Sequence, residues 1–123
     1  MGMDLLGNHG DERFSASAWD NCLERAIEFG WEPEGTVAPT DWSGEWDGGY
    51  CSNDWQAVTD RDARALGEAL VRAIATLSAR ANIRKPSTRE LDDLFVEEDP
   101  LDAEIACLRS LSDYALKGGF VIA

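Results

Sequence analysis

The segment DWSGEWDGGYCSNDWQ (41–56) holds four carboxylates, Asp41, Glu45, Asp47 and Asp54, and three indoles, Trp42, Trp46 and Trp55, with no lysine or arginine among them. Three chemistries use such residues. Paired carboxylates beside aromatic platforms bind or hydrolyse sugars. Clustered carboxylates take a hard cation such as calcium. Acids interleaved with tryptophan also make a surface for a basic protein, with the indoles as anchors and the charges steering the encounter. Glycoside hydrolysis generally needs a deep cleft, for which 123 residues offer little material. The calcium-loop pattern D-x-[DN]-x-[DN]-G with a glutamate at position twelve is absent.

Few other residues could do chemistry. His9 is the sole histidine, in the turn-like Gly7-Asn8-His9-Gly10, so any Ser-His, Cys-His or multi-histidine metal scheme would run through it alone. A structural or solvated role is expected there. Cys22, Cys51 and Cys107 are odd in number, widely spaced and never in a C-x-x-C pair, which points to reduced, mostly buried thiols and to neither a zinc knuckle nor a disulfide framework. Neither Gly-x-Gly-x-x-Gly nor a Walker A loop is present. No catalytic residue, cofactor or metal ligand is therefore assigned.

The charge is concentrated. The chain carries −13 overall, beyond the magnitude of about 2 to 8 usual for a small soluble domain. Residues 1–60 hold 13 acids and 2 bases, net −11, whereas 61–123 hold 11 acids and 9 bases, net −2. Such a balance disfavours nucleic acid as a ligand and favours a basic partner. The basic residues Arg80, Arg84, Lys85 and Arg89 gather where a helix should end, and are expected to form a solvated terminus.

The elements that must position these residues follow from periodicity and punctuation. Trp19, Cys22, Leu23, Ala26, Ile27 and Phe29 recur at helical spacing between Ser17 and Gly30, giving a helix over about 17–29 whose other face carries Asp20, Glu24 and Glu28. Residues 30–58 are rich in Gly, Pro, Ser and Asn, the residues of turns, with short strands expected near Thr36–Ala38 and Gly49–Ser52. Thr59 with Asp62 forms an approximate capping box that opens a helix over about 59–81, with Ala63, Leu66, Leu70, Ala73, Ile74 and Leu77 as its apolar stripe. A short helix over 88–97 should bury Leu91, Leu94 and Phe95. Asp99 and Pro100 should begin another, over 100–117, ending at Gly118-Gly119. The apolar ending Phe120–Ala123 reads as a strand, with Met3–Leu6 as its partner.

Three stretches, AIEFGWEPEGT (26–36), GGYCSNDWQAVTDRDARALGEALVRAI (48–74) and LSDYALKGGFVIA (111–123), resemble an uncharacterised family of small, acidic bacterial and phage-associated proteins. Its members pair a Gly-Tyr-x-Ser-Asn-Asp turn with a following helix and finish on Gly-Gly-Phe-x-Ile. The resemblance covers about 50 of 123 residues, and this chain departs from it at Cys51 and Trp55. It implies no activity, cofactor or site residue.

The sequence thus predicts a single α+β domain over 1–123, with about four helices on a small sheet built from both terminal segments. The first twenty residues lack a basic n-region followed by an apolar core, and no apolar run approaches membrane-spanning length, so a cytoplasmic protein is expected. The expected role is non-enzymatic: an acidic inhibitor of a basic protein, either an immunity protein against a toxin or nuclease or a phage antidefence protein of anti-CRISPR type. Its expected contacts are Asp20, Glu24, Glu28, Glu32, Asp41, Trp42, Glu45, Trp46, Asp47, Asp54 and Trp55. DNA mimicry would be partial, because duplex DNA carries a charge per roughly 3.4 Å on each strand whereas acids four apart on a helix recur about every 6 Å. The alternative is a small carbohydrate- or metal-binding module, or a small enzyme, using the 41–56 loop.

Overall fold

The computed structural model describes residues 2–84 and 100–123. Among these residues the fold is α+β, with three helices and one antiparallel four-stranded sheet, against the four or so helices expected. The helix anticipated over 88–97 lies outside the described residues. In chain order the elements are β1 (Gly2–Gly7), β2 (Gly10–Ser15), α1 (Ala16–Glu28), β3 (Gln56–Val58), α2 (Asp60–Arg84), α3 (Pro100–Leu116) and β4 (Phe120–Ile122). The strand order is β2-β1-β4-β3.

The expected pairing of the two terminal segments is present: Leu5 stands opposite Ile122 and Leu6 opposite Val121. Alternation along β1 sends Met3 and Leu5 into the core and leaves Asp4 and Leu6 on the other face. Phe14, Val58, Phe120 and Ile122 join them in one apolar cluster with the inner faces of all three helices. The helices therefore cover one face of the sheet and leave the other open.

Several local expectations are corrected. Gly7-Asn8-His9-Gly10 is the turn of a β-hairpin, and the Asp11–Ser15 segment, not anticipated as a strand, pairs with β1 along its length. Gly49–Ser52 is irregular, with bends over 50–52, rather than a strand. Buried Gln56 is the reason: its Nε2 donates to the Ser52 carbonyl at 2.6 Å and the Gly49 carbonyl at 3.3 Å, turning both onto one side chain instead of a neighbouring strand. The strand in this region is β3, and Thr36–Ala38 contributes only a single bridge, Val37 to Ala57.

The helices begin and end for identifiable reasons. Ser15, two residues before the expected start, caps α1 by accepting the Ala18 N–H at 3.1 Å. Gly30, with φ +105°, closes α1: its N–H donates to Ile27 and that of Trp31 to Ala26, the double bond pattern of a Schellman motif. Thr59 accepts the Asp62 N–H at 3.1 Å at the start of α2. The α2 stripe is buried as expected, apart from the half-buried Ile74, and gains Ala69 and Ala81. The largest helix interface is α2 on α3. It closes over Gly67, where an added Cβ would lie 2.8 Å from Leu116 Cγ.

Candidate functional site

The turn-rich segment 31–55 has little regular structure, and it is held by buried polar groups. Asp62, fully buried, accepts the Trp31 indole N–H at 3.0 Å and the Tyr50 hydroxyl at 2.5 Å. Tyr50 in turn accepts the Gly35 N–H at 2.9 Å and stacks edge-on against Trp31, centroids 5.2 Å apart. Burial and the Asp62 carboxylate push the Tyr50 hydroxyl well above the usual phenol range, so it stays a donor. Trp19, fully buried, donates to the Tyr50 carbonyl at 2.8 Å, and Gln56 Oε1 accepts the Asp54 N–H at 2.9 Å. The core tryptophans are thus Trp19 and Trp31, and none of the three in 41–56 is fully buried.

What this frame presents is an acidic face with Trp55 at its centre. Trp55 is 61% exposed and has φ +66°, the one non-glycine among the described residues in the left-handed region. For a bulky side chain that backbone costs about 1–2 kcal/mol. It is fixed by the Trp55 N–H, which donates to the Ile122 carbonyl at 2.8 Å. An open groove of about 440 Å³ lies on one side, lined by Pro39, Asp41, Trp42, Ser43, Asn53, Asp54 and Trp55. A second, of about 690 Å³, runs over the open sheet face between Trp55, Asp4, Leu6, Asp11, Glu12, Arg13 and Ala123. Five carboxylates and one guanidinium line the two grooves, and the guanidinium of Arg13 sits 3.5 Å from Asp4.

The register also sets an apolar row on the open sheet face, of which Leu6 lines the second groove. Leu6, Val121, Ala57 and Val37 stand opposite one another in a row across the sheet. Cross-strand partners share a face, so this row lies on the side away from the helices.

The expected contact residues separate into groups. Asp41, Trp42, Asp54 and Trp55 meet at the first groove. Asp20 lines neither groove; its Oδ1 accepts the Cys51 thiol at 3.4 Å. Partial burial, and then that contact, push the Cys51 thiol up. Trp46 is half-buried: its indole donates to the Thr36 carbonyl at 3.0 Å and its ring supports Trp42 edge-on at 4.8 Å. Asp47 accepts the Gly49 N–H at 2.9 Å and shapes the turn. Glu45 is exposed, and its carbonyl accepts the Trp42 indole N–H at 3.1 Å. Glu24, Glu28 and Glu32 are exposed but line neither groove, and Glu28 is paired with Arg25 at 3.3 Å.

Asp4, Asp11 and Glu12 are the residues that sequence reasoning missed. The available signal was the alternation of Met3-Asp4-Leu5 before the two-residue Asn8-His9 turn, which marks a hairpin; the Asp11-Glu12-Arg13 run does not alternate, and register puts Asp11 opposite Leu6 on the open face and Glu12 opposite Leu5. His9 packs on Tyr114, centroids 4.5 Å apart, with its Nε2 out of solvent and without a hydrogen-bond partner. Among the described residues no group of three or more His, Cys, Asp or Glu side chains is arranged to hold a metal ion, and no helix is long and apolar enough to cross a membrane. No family model, curated protein or solved structure matches this chain.

Proposed function

We propose that this protein is a non-enzymatic inhibitor that binds a basic protein through the Trp55-centred face. The supporting observation is Trp55 itself, a large apolar side chain held exposed on a strained backbone between two acid-lined grooves. Residues kept in sparsely populated backbone regions tend to serve a function that repays the strain. Charge complementarity specifies the occupant. Lysine or arginine side chains would lay their aliphatic stems along Leu6 and the indoles and place their cations over Trp42 and Trp55 or beside Asp11, Asp41 and Asp54. A toxin or nuclease neutralised by its immunity protein is such a partner, as is a nucleic-acid-binding effector whose channel a phage protein blocks by partial DNA mimicry. Both place the protein in the cytoplasm. The bacterial and phage-associated family that its motifs resemble is compatible with either role.

The test uses tagged full-length protein on lysate of the host or a competing strain, washed at about 0.1 M and then 0.5 M salt. The wild type should retain a basic protein at low salt and release it at high salt. Trp55→Ala and the double variant Asp41→Lys/Asp54→Lys should fail to retain it, while Glu24→Lys on α1 should behave as wild type. The retained protein, once purified, should lose its own activity on addition of one equivalent. Equal capture by all four proteins would reject this face. The first groove also carries the residue types of a sugar platform in Trp42, Trp55, Asn53 and two acids. Thermal stabilisation by an oligosaccharide or a divalent cation, lost in Trp55→Ala, would replace the inhibitor reading with a small binding module.

A further inference from the structure

Cys22 and Cys107 are 85 residues apart in sequence, yet their Sγ atoms meet at 3.8 Å across the α1–α3 interface. We propose that these two cysteines form a reversible disulfide clamping α1 to α3, made by exchange with a small-molecule disulfide such as oxidised glutathione. The proposal rests on the helix contact and is independent of the Trp55 face.

The geometry around the thiols favours the bond. One turn from Cys22, Arg25 meets Glu104, one turn from Cys107, through two hydrogen bonds of 2.6 and 3.1 Å. Asn21 Nδ2 adds a third to Glu104 at 2.7 Å. This half-buried clamp fixes the helices in one register, so the two thiols face each other whenever the protein is folded. Closing to a disulfide needs the sulfurs to approach by about 1.8 Å, to an S–S bond of about 2.05 Å. The two thiols also differ in access. Cys22 is fully buried, and desolvation followed by the Cys107 sulfur pushes its thiol far above the ordinary range. Cys107 is half-buried and the more accessible of the two, so it is the thiol placed to meet an external disulfide first.

The chemistry balances in two exchanges. The Cys107 thiol loses its proton and attacks one sulfur of oxidised glutathione, forming a mixed disulfide and expelling one glutathione thiolate. Cys22 then loses its proton, attacks the Cys107 sulfur and expels the second. The two protein thiols are oxidised, the added disulfide is reduced to two thiols, and both protons end on glutathione.

The reduced full-length chain is incubated in glutathione buffers of increasing oxidised fraction, quenched with iodoacetamide, and read by intact mass and peptide mapping. The expected product is lighter than the reduced protein by two hydrogens before alkylation, joins the Cys22 and Cys107 peptides, leaves Cys51 alkylated, and reverts on addition of dithiothreitol. Cys51→Ser should form the bond unchanged, and Cys107→Ser should not form it. Alkylation of all three thiols in every buffer, or glutathione left attached at Cys107 with Cys22 still free, would overturn the proposal.

Discussion

Two residues carry most of the local design. Asp62 looked like half of a capping box, and its backbone does serve that cap. Its side chain turns inward instead, to Trp31 and Tyr50. No local pattern marks that choice, because its partners lie 31 and 12 residues away. Asp62→Ala would strand a buried indole N–H and should cost about 3 kcal/mol or more in urea denaturation. Tyr50→Phe, which removes one donor to a charged acceptor, should cost about 2 kcal/mol. Trp55 gives a different signature. At φ +66° glycine is at ease where alanine is not, so Trp55→Gly should be more stable than Trp55→Ala by about 1 kcal/mol. That reverses the usual order outside the left-handed region, and alanine equal to or better than glycine would contradict the strained backbone.

Among the elements, the long helices were legible because their apolar stripes repeat over several turns and their caps have recognisable chemistry. Ser15, Gly30 and Thr59 all act as the residue type predicts, even where the start shifts by a residue or two. The short strands were not legible in the same way. β3 has three residues, one of them a buried glutamine, and only its long-range partner β4 makes it a strand. The helix packing has a pH signature as well. The Arg25 guanidinium, helped by Asn21, holds the Glu104 carboxyl below its usual range. A depressed folded-state value means that the pair stabilises the fold above the unfolded carboxyl range, near pH 4.5, and loses that contribution as pH falls through the lower folded-state value. Glu104→Gln should cost about 1–2 kcal/mol at neutral pH and flatten the acid limb of the stability profile. Joining Cys22 to Cys107 acts on the same interface, and chain-entropy reasoning gives roughly 4.5 kcal/mol for a loop of this size, read as a higher melting temperature in the oxidised protein.

At the scale of the whole molecule, composition located the charge correctly in the first half of the chain. It could not say which acids share a face. That depended on the hairpin, whose Asp4 and Asp11 share the open sheet face and border a groove that meets the Asp41 and Asp54 groove at Trp55. The α1 acids Glu24 and Glu28, the most regular in spacing, lie outside both grooves. A face with several carboxylates around exposed indoles should bind in two separable ways, the charges setting how fast a basic partner arrives and the indoles how long it stays. The most direct measurement is the association and dissociation kinetics of the captured basic protein with wild type, Asp41→Lys/Asp54→Lys and Trp55→Ala at low and high salt. The charge variant should lose association rate and much of its salt dependence, and Trp55→Ala should dissociate at least about 30-fold faster with little change in association. Wild-type kinetics in both variants would place the interface elsewhere on the molecule.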